Sequence, residues 1–228
     1  MIPMATAATA RGTGSEIGRA TARRALLALL LAVGAVAALA AGARLVCAGD
    51  TCHAPAVDTA GLAGLHAWAD RRLDPAVAAL TWLGSIALLL PLAALLTWRW
   101  RRSVPGRVLA FLPLALLGAT ALAQAAKFLV ARPRPDLFPA LVAMPADASF
   151  PSAHAMQATA FALAWLLRPG ARPGPLAAAA AGVLVLAVAG SRVYLQVHFV
   201  SDVAFGVLAA ILWVLALRCL PVWSPRPR

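Results

Sequence analysis

The chain has 228 residues, 62% of them apolar and 12% charged, with a mean hydropathy of +0.83. A soluble domain of this length carries about 25% charged residues, so disorder, a collagen-like fibre and a disulfide-rich secreted scaffold are excluded. The net charge of +12 does not indicate nucleic acid, because nineteen of the twenty basic residues are Arg and most flank apolar runs rather than clustering on a soluble face. An integral membrane protein with several spans remains.

Charge-free stretches predict six spans, at residues 25–43, 75–98, 108–126, 155–167, 176–190 and 203–217. The first three match the ~20 residues that cross a ~30 Å hydrocarbon core. The last three are nearer fifteen residues, or ~22 Å of helix, so they draw flanking polar residues into the bilayer margin. Arg23 and Arg24 before the first run resemble the start of a cleaved signal peptide. The run is longer than a signal core of ~7–15 residues, so a retained signal anchor is expected. Cys47 and Cys52 can close a small disulfide in an oxidising compartment, a point left open by their spacing. Cys219 reads as an apolar filler near the end of a span. Between Asp50 and Asp74, Leu62, Leu65, Trp68, Ala69 and Leu73 approximate one helical face. That segment is expected to lie in the outer interface, with Trp68 as a belt residue. Residues 168–175 form a tight, breaker-rich turn.

Thirteen Arg residues fall on one side of these spans: Arg11, Arg19, Arg23, Arg24, Arg99, Arg101, Arg102, Arg107, Arg168, Arg172, Arg218, Arg226 and Arg228. The other side holds seven basic residues and seven of the eight acids. The positive-inside bias makes the first side cytoplasmic. The expected fold is therefore an all-α membrane protein, a six-transmembrane-helix bundle with both termini cytoplasmic. Its predicted organisation is a cytoplasmic tail at 1–24, a six-span domain at 25–221 and a second tail at 222–228.

Three polar clusters fall on the outer side. The first is Lys127, six residues and then Arg134-Pro135; the second is Pro151-Ser152-Ala153-His154. The third is Ser191-Arg192, five residues, His198, three residues and Asp202. Two spans separate the second cluster from the third, which puts both on one membrane face. Ionisable residues at a bilayer margin are costly and imply function. Arg offers a planar fork and Lys a point charge for phosphate, so Lys127, Arg134 and Arg192 can clamp an anion, with Asp202 expected to accompany them. Ser152 and Ala153 at a helix start add N–H groups and the positive dipole end. If a helix begins near His198, Asp202 shares its face four residues on and can fix the imidazole tautomer, leaving a nucleophilic nitrogen. His154 is free to act as general acid. The set contains nucleophile, orienter, acid and anion clamp, and calls for no metal or other cofactor. His53 and His66 lack such a pattern and read as surface residues.

Lys-x6-Arg-Pro, Pro-Ser-x-His and Ser-Arg-x5-His-x3-Asp, in this order, resemble the signature of the type 2 phosphatidic acid phosphatase superfamily. Each motif alone is weak; the three together are specific. The resemblance implies that His198 attacks phosphorus to form a phosphohistidine, Asp202 supports it and His154 protonates the leaving group. Lys127, Arg134, Ser152, the Ala153 backbone and Arg192 would hold the phosphoryl oxygens. The family usually has Gly where Ala153 stands, which matters only if φ is positive there. A second pair, Arg132-Pro133, blurs the register, but only Arg134 has the six-residue spacing.

The expected function is metal-independent hydrolysis of a lipid phosphomonoester or diphosphate, such as phosphatidate, phosphatidylglycerol phosphate or a polyprenyl diphosphate. The partners are then the lipid substrate and the bilayer, with no nucleic acid and no oligomeric state implied. The expected location is a bacterial inner membrane, with the active site at the outer membrane–water interface facing the periplasm or exterior. The alternatives are a lipid-linked phosphotransferase and a non-enzymatic anion or lipid transporter built on the same cations.

Overall fold

The computed structural model describes residues 7–49 and 51–223. Arg226 and Arg228, assigned above to a cytoplasmic tail, lie outside the described residues, as do Asp50 and the side chain of Arg11. The chain is mostly helical. α1 spans Ala7–Val46, and its stretch Gly18–Val46 is long and apolar enough to cross a membrane. A two-residue hairpin follows, β1 (Cys47–Ala48) against β2 (Thr51–Cys52), closed by a Cys47–Cys52 disulfide. Next come α2 (Ala56–His66) and α3 (Asp74–Thr81). A 3₁₀ turn (Trp82–Gly84) then leads into α4 (Ile86–Trp100). After the short α5 (Gly106–Leu109) come α6 (Phe111–Val130), α7 (Ala153–Leu167), α8 (Pro175–Tyr194) and α9 (Val200–Cys219).

Among the described residues, four helical stretches have the length and composition of a span, with a fifth if α3 and α4, bent by 48° at their junction, count as one. The bend falls at Ser85, whose extended backbone interrupts the ladder and whose hydroxyl caps α4 by accepting the Ala87 N–H at 3.3 Å. The stretch expected as one continuous span at 75–98 is therefore broken. The two last runs, expected at about fifteen residues, belong to helices of 20 residues each. The added turns bring Ser191, Arg192, Ser201 and Asp202 into regular helix. Their polar groups are buried among neighbouring elements, so lipid does not oppose the extension.

α7 stays at 15 residues because protein rather than lipid surrounds it. It packs against α4, α6, α8, α9 and the 3₁₀ turn. Ala155, Ala158, Ala160, Ala162 and Ala164 are all buried, and their small side chains let backbones approach. Its internal polar groups are satisfied: Thr159 donates to the Ala155 carbonyl at 2.7 Å and Gln157 to Thr120 Oγ1 at 3.3 Å. α1 lies along α9 and leaves Leu26, Leu27, Leu29 and Leu30 exposed, as a lipid-facing helix does. Where α1 meets this core, a Cβ on Gly42 would stand 2.6 Å from the Phe205 ring.

One expected element is shorter than its pattern. α2 ends at His66, so Trp68, Ala69 and Leu73 do not continue the face that Leu62 and Leu65 begin. The chain instead turns at Ala67–Ala69, and Asp70 starts the next bend by donating its N–H to the Tyr194 hydroxyl at 3.2 Å. Trp68 remains largely exposed.

Candidate active site

The last turn of α8 and the five residues before α9 hold His198. Its N–H and that of Val197 both donate to the Arg192 carbonyl, at 3.3 and 3.2 Å. Gln196 makes the tight reversal at φ +60°, and its side-chain amide donates to the Leu62 carbonyl at 3.2 Å. α9 starts at Val200, so His198 precedes the helix, and the expectation that it shares a helical face with Asp202 is corrected. The two groups meet through the cap. Asp202 accepts the Phe199 N–H at 3.0 Å, half of a capping box, and the same oxygen lies 3.4 Å from His198 Nδ1. Ser149 also donates its hydroxyl to that oxygen.

The tautomer follows from the other ring nitrogen. His198 Nε2 is 3.2 Å from Arg134 Nη1, and a guanidinium only donates. Nε2 therefore carries the lone pair and Nδ1 the proton, directed to Asp202. Burial pushes the pKa of this imidazole down to about 4, with Arg134 and Arg192 assisting and Asp202 opposing. At neutral pH the ring is therefore uncharged.

Two of the expected cations meet at one carboxylate, and one of them, Arg134, is the group that reaches the ring. Lys127, in the last turn of α6, donates to the Ala148 carbonyl and lies 3.2 Å from the Asp147 carboxylate. Arg134 donates to the carbonyls of Val197 (2.6 Å) and Asp147 (2.9 Å) and pairs with the same carboxylate. Asp147 was not among the expected residues. Burial raises its pKa, but Lys127 and Arg134 outweigh this and hold it below the usual carboxylate range. Arg192 donates through Nη1 to Thr81 at 2.8 Å, while its Nε is buried without a partner among the described residues.

Ser152 precedes α7 and is fully buried. Its N–H donates to the Asp202 carbonyl at 3.1 Å, but its hydroxyl does not cap the helix and meets no partner among the described residues. Ala153 opens α7 without a positive φ, so its methyl group costs nothing in backbone strain. His154 follows, within electrostatic range of Arg192, His198, Lys127 and Arg134. All eight residues singled out from the sequence thus belong to one neighbourhood.

The companion expected for the cations is different. Asp202 pairs with Arg132, at 2.6 Å, rather than with Lys127, Arg134 or Arg192. Arg132 is 1% exposed and also binds Asp58 at 2.8 Å and the His53 carbonyl at 2.9 Å. Its guanidinium lies over the Phe199 ring at 3.9 Å. Asp58 in turn accepts the N–H and hydroxyl of Ser201, both at 2.7 Å. Asp58, Arg132, Asp147 and Ser149 were therefore missed. The only sequence hint was that Arg132 shares the Arg-Pro repeat with Arg134. His66, expected at the surface, is half-buried and stacks on Phe138 at 3.9 Å. His53 is exposed, and only its carbonyl takes part.

A helical membrane fold with a buried histidine beside clustered cations defines a class, and the comparisons place the chain within it. Residues 108–226 match the model of the PAP2 superfamily, and the chain belongs to that superfamily. Over 92 residues it is 47% identical to the decaprenylphosphoryl-5-phosphoribose phosphatase of Mycobacterium tuberculosis (strain ATCC 25618 / H37Rv), an overlap of 39% of this chain and 48% of the relative. The chain thus spans about half the length of the curated relatives it matches. Its fold is similar to that of the PAP2-type phosphatidylglycerolphosphate phosphatase from Bacillus subtilis, with a TM-score of 0.62 and 24% identity over 81% of this chain and 91% of the other. It also resembles Aquifex aeolicus LpxE, with a TM-score of 0.60 and 23% identity over 72% and 96%.

Proposed function

We propose that this protein is a membrane phosphatase that hydrolyses the phosphomonoester or terminal diphosphate of a lipid through a phosphohistidine. One observation carries the reading. Ser152 Oγ and Arg192 Nε are both buried and uncommitted, in the neighbourhood where His198 directs its Nε2 lone pair toward Arg134. Buried donors without partners are costly, and a phosphoryl group is the ligand that satisfies them while lying in front of the imidazole.

The reaction then has two steps. His198 Nε2 attacks phosphorus, the bond from phosphorus to the leaving oxygen breaks, and His154 gives that oxygen its proton. Water, losing its proton to His154, attacks the phosphohistidine and releases inorganic phosphate. Asp202 holds the Nδ1–H and stabilises the charge that develops on the ring. Lys127, Arg134 and Arg192 supply the electrostatic stabilisation that phosphoryl transfer mainly requires. A passive anion carrier needs no imidazole oriented by a carboxylate, so the enzyme is the better account.

The same reading takes the bent α3–α4 pair and α7 as the second and fourth of six spans, with both termini cytoplasmic and the site at the outer interface of a bacterial inner membrane. A lipid tail then stays in the bilayer while its headgroup reaches the cations. The mycobacterial relative supports a polyprenyl-linked phosphate among the candidate substrates.

The test is phosphate release from a panel of phosphatidate, phosphatidylglycerol phosphate, polyprenyl diphosphate and polyprenyl-linked sugar phosphate, with a chelator present. Release from at least one lipid, abolished in His198→Ala, together with an acid-labile phosphorylated intermediate, is expected. Activity that survives in His198→Ala would overturn the reading, and phosphate appearing on an added acceptor would make the protein a phosphotransferase.

A further inference from the structure

The anion clamp already holds an anion. Asp147 puts one carboxylate oxygen on Arg134 Nη2 and the other on Lys127 Nζ, bridging the two cations that the phosphoryl group requires. Lys127 and Arg134 are 4% and 8% exposed at their side chains, while Asp147 is 47% exposed. The carboxylate therefore covers the clamp from the water side.

The cations do not depend on it for their positions. Lys127 is also held by the Ala148 carbonyl, and Arg134 by the carbonyls of Asp147 and Val197. The Asp147 side chain can rotate into water while its own backbone oxygen stays on Arg134. The loop is tied down close by, since the Ser149 N–H donates to the Arg132 carbonyl at 2.8 Å and the Ser149 hydroxyl to Asp202. Only the side chain has to move.

We propose that Asp147 is an intramolecular competitor for the phosphoryl site and sets the affinity threshold for entry. The inference rests on the phosphatase reading. Every ligand of the clamp must first displace the carboxylate, so its apparent dissociation constant rises by one common factor. The consequence for specificity lies in the surroundings. A site at the membrane margin faces phospholipid headgroups, monoanionic diesters present at very high local concentration. A monoanion gains from Lys127 and Arg134 little more than the carboxylate already does, and stays out. A dianionic monoester or terminal phosphate has the second charge needed to win. After hydrolysis, the returning carboxylate favours departure of inorganic phosphate.

The experiment compares wild type, Asp147→Asn and Asp147→Glu in detergent micelles, with inorganic phosphate and diethyl phosphate as soluble inhibitors. In Asp147→Asn, both inhibition constants should fall by a similar factor of about five or more. Micelles enriched in phosphatidylglycerol should inhibit this variant while leaving wild type nearly unaffected. Asp147→Glu, which keeps the charge, should behave like wild type. Inhibition constants that are unchanged or higher in Asp147→Asn, or a variant that no longer binds phosphate, would make Asp147 a structural brace and overturn the proposal. If wild type itself neither hydrolyses a lipid phosphate nor binds inorganic phosphate, the phosphatase reading fails first.

Discussion

Arg132 and Arg134 are chemically identical and two positions apart, yet their guanidinium groups have different work. Arg132 sits between Asp58 and Asp202, all three nearly sealed from solvent, whereas Arg134 lies against the His198 lone pair. Removing one partner of a buried pair strands the others and costs ~3–5 kcal/mol. Arg132→Ala should therefore lower the thermal midpoint sharply in detergent, and Arg134→Ala much less. Steady-state kinetics should show the reverse emphasis for Arg134→Ala, with most of the activity lost in a protein that still folds. For His198, nitrogen-resolved NMR should find the ring neutral until the pH approaches about 4. Its folded value lies below the ordinary 6.5, so the unfolded chain takes up the proton first. The contribution of this group to stability is complete above about pH 6.5 and is lost as the pH falls toward 4. A ring that titrates near 6.5 would mean that it is solvated rather than buried.

Among the elements, α7 and the break before α4 depend on each other. A Cβ on Gly84 would lie 2.8 Å from the His154 carbonyl oxygen and 2.5 Å from Val188 Cγ1. The 3₁₀ turn touches the start of α7 only because no side chain is there. Gly84→Ala should cost ~1–3 kcal/mol through overpacking and shift the α7 N-terminus that carries Ser152 and His154. The expected readout is a fall in kcat larger than that of a comparable substitution at Gly182, where a Cβ meets nothing. Equal kinetics for the two variants would show that α7 tolerates the displacement. Much of this arrangement was legible beforehand, since Ser152 at a helix start and the polar ends of α8 and α9 follow from motif spacing and apolar run length. The break at Ser85 was not legible, because hydropathy continues through it unchanged.

For the molecule as a whole, the proposed orientation sets the loop bearing Asp136 and Asp147 outside and the turn bearing Arg172 inside. In a Cys219→Ser background, an impermeant thiol reagent applied to intact cells should label Asp136→Cys and spare Arg172→Cys. Both positions are exposed to solvent. Labelling of Arg172→Cys alone would invert the topology.

Composition, the placement of Arg and the spacing of three short motifs were enough to predict a helical membrane protein and its superfamily, and to single out eight residues that the fold brings into one neighbourhood. Such features are local or periodic, and a chain carries them in one dimension. The partners of the charges were decided only in three dimensions. Arg132 meets Asp58 across 74 positions, and Asp147 reaches Lys127 from a loop with no periodicity to read. Coulomb attraction does not distinguish one carboxylate from another. Packing does, by choosing which of them arrives within reach once water has been excluded.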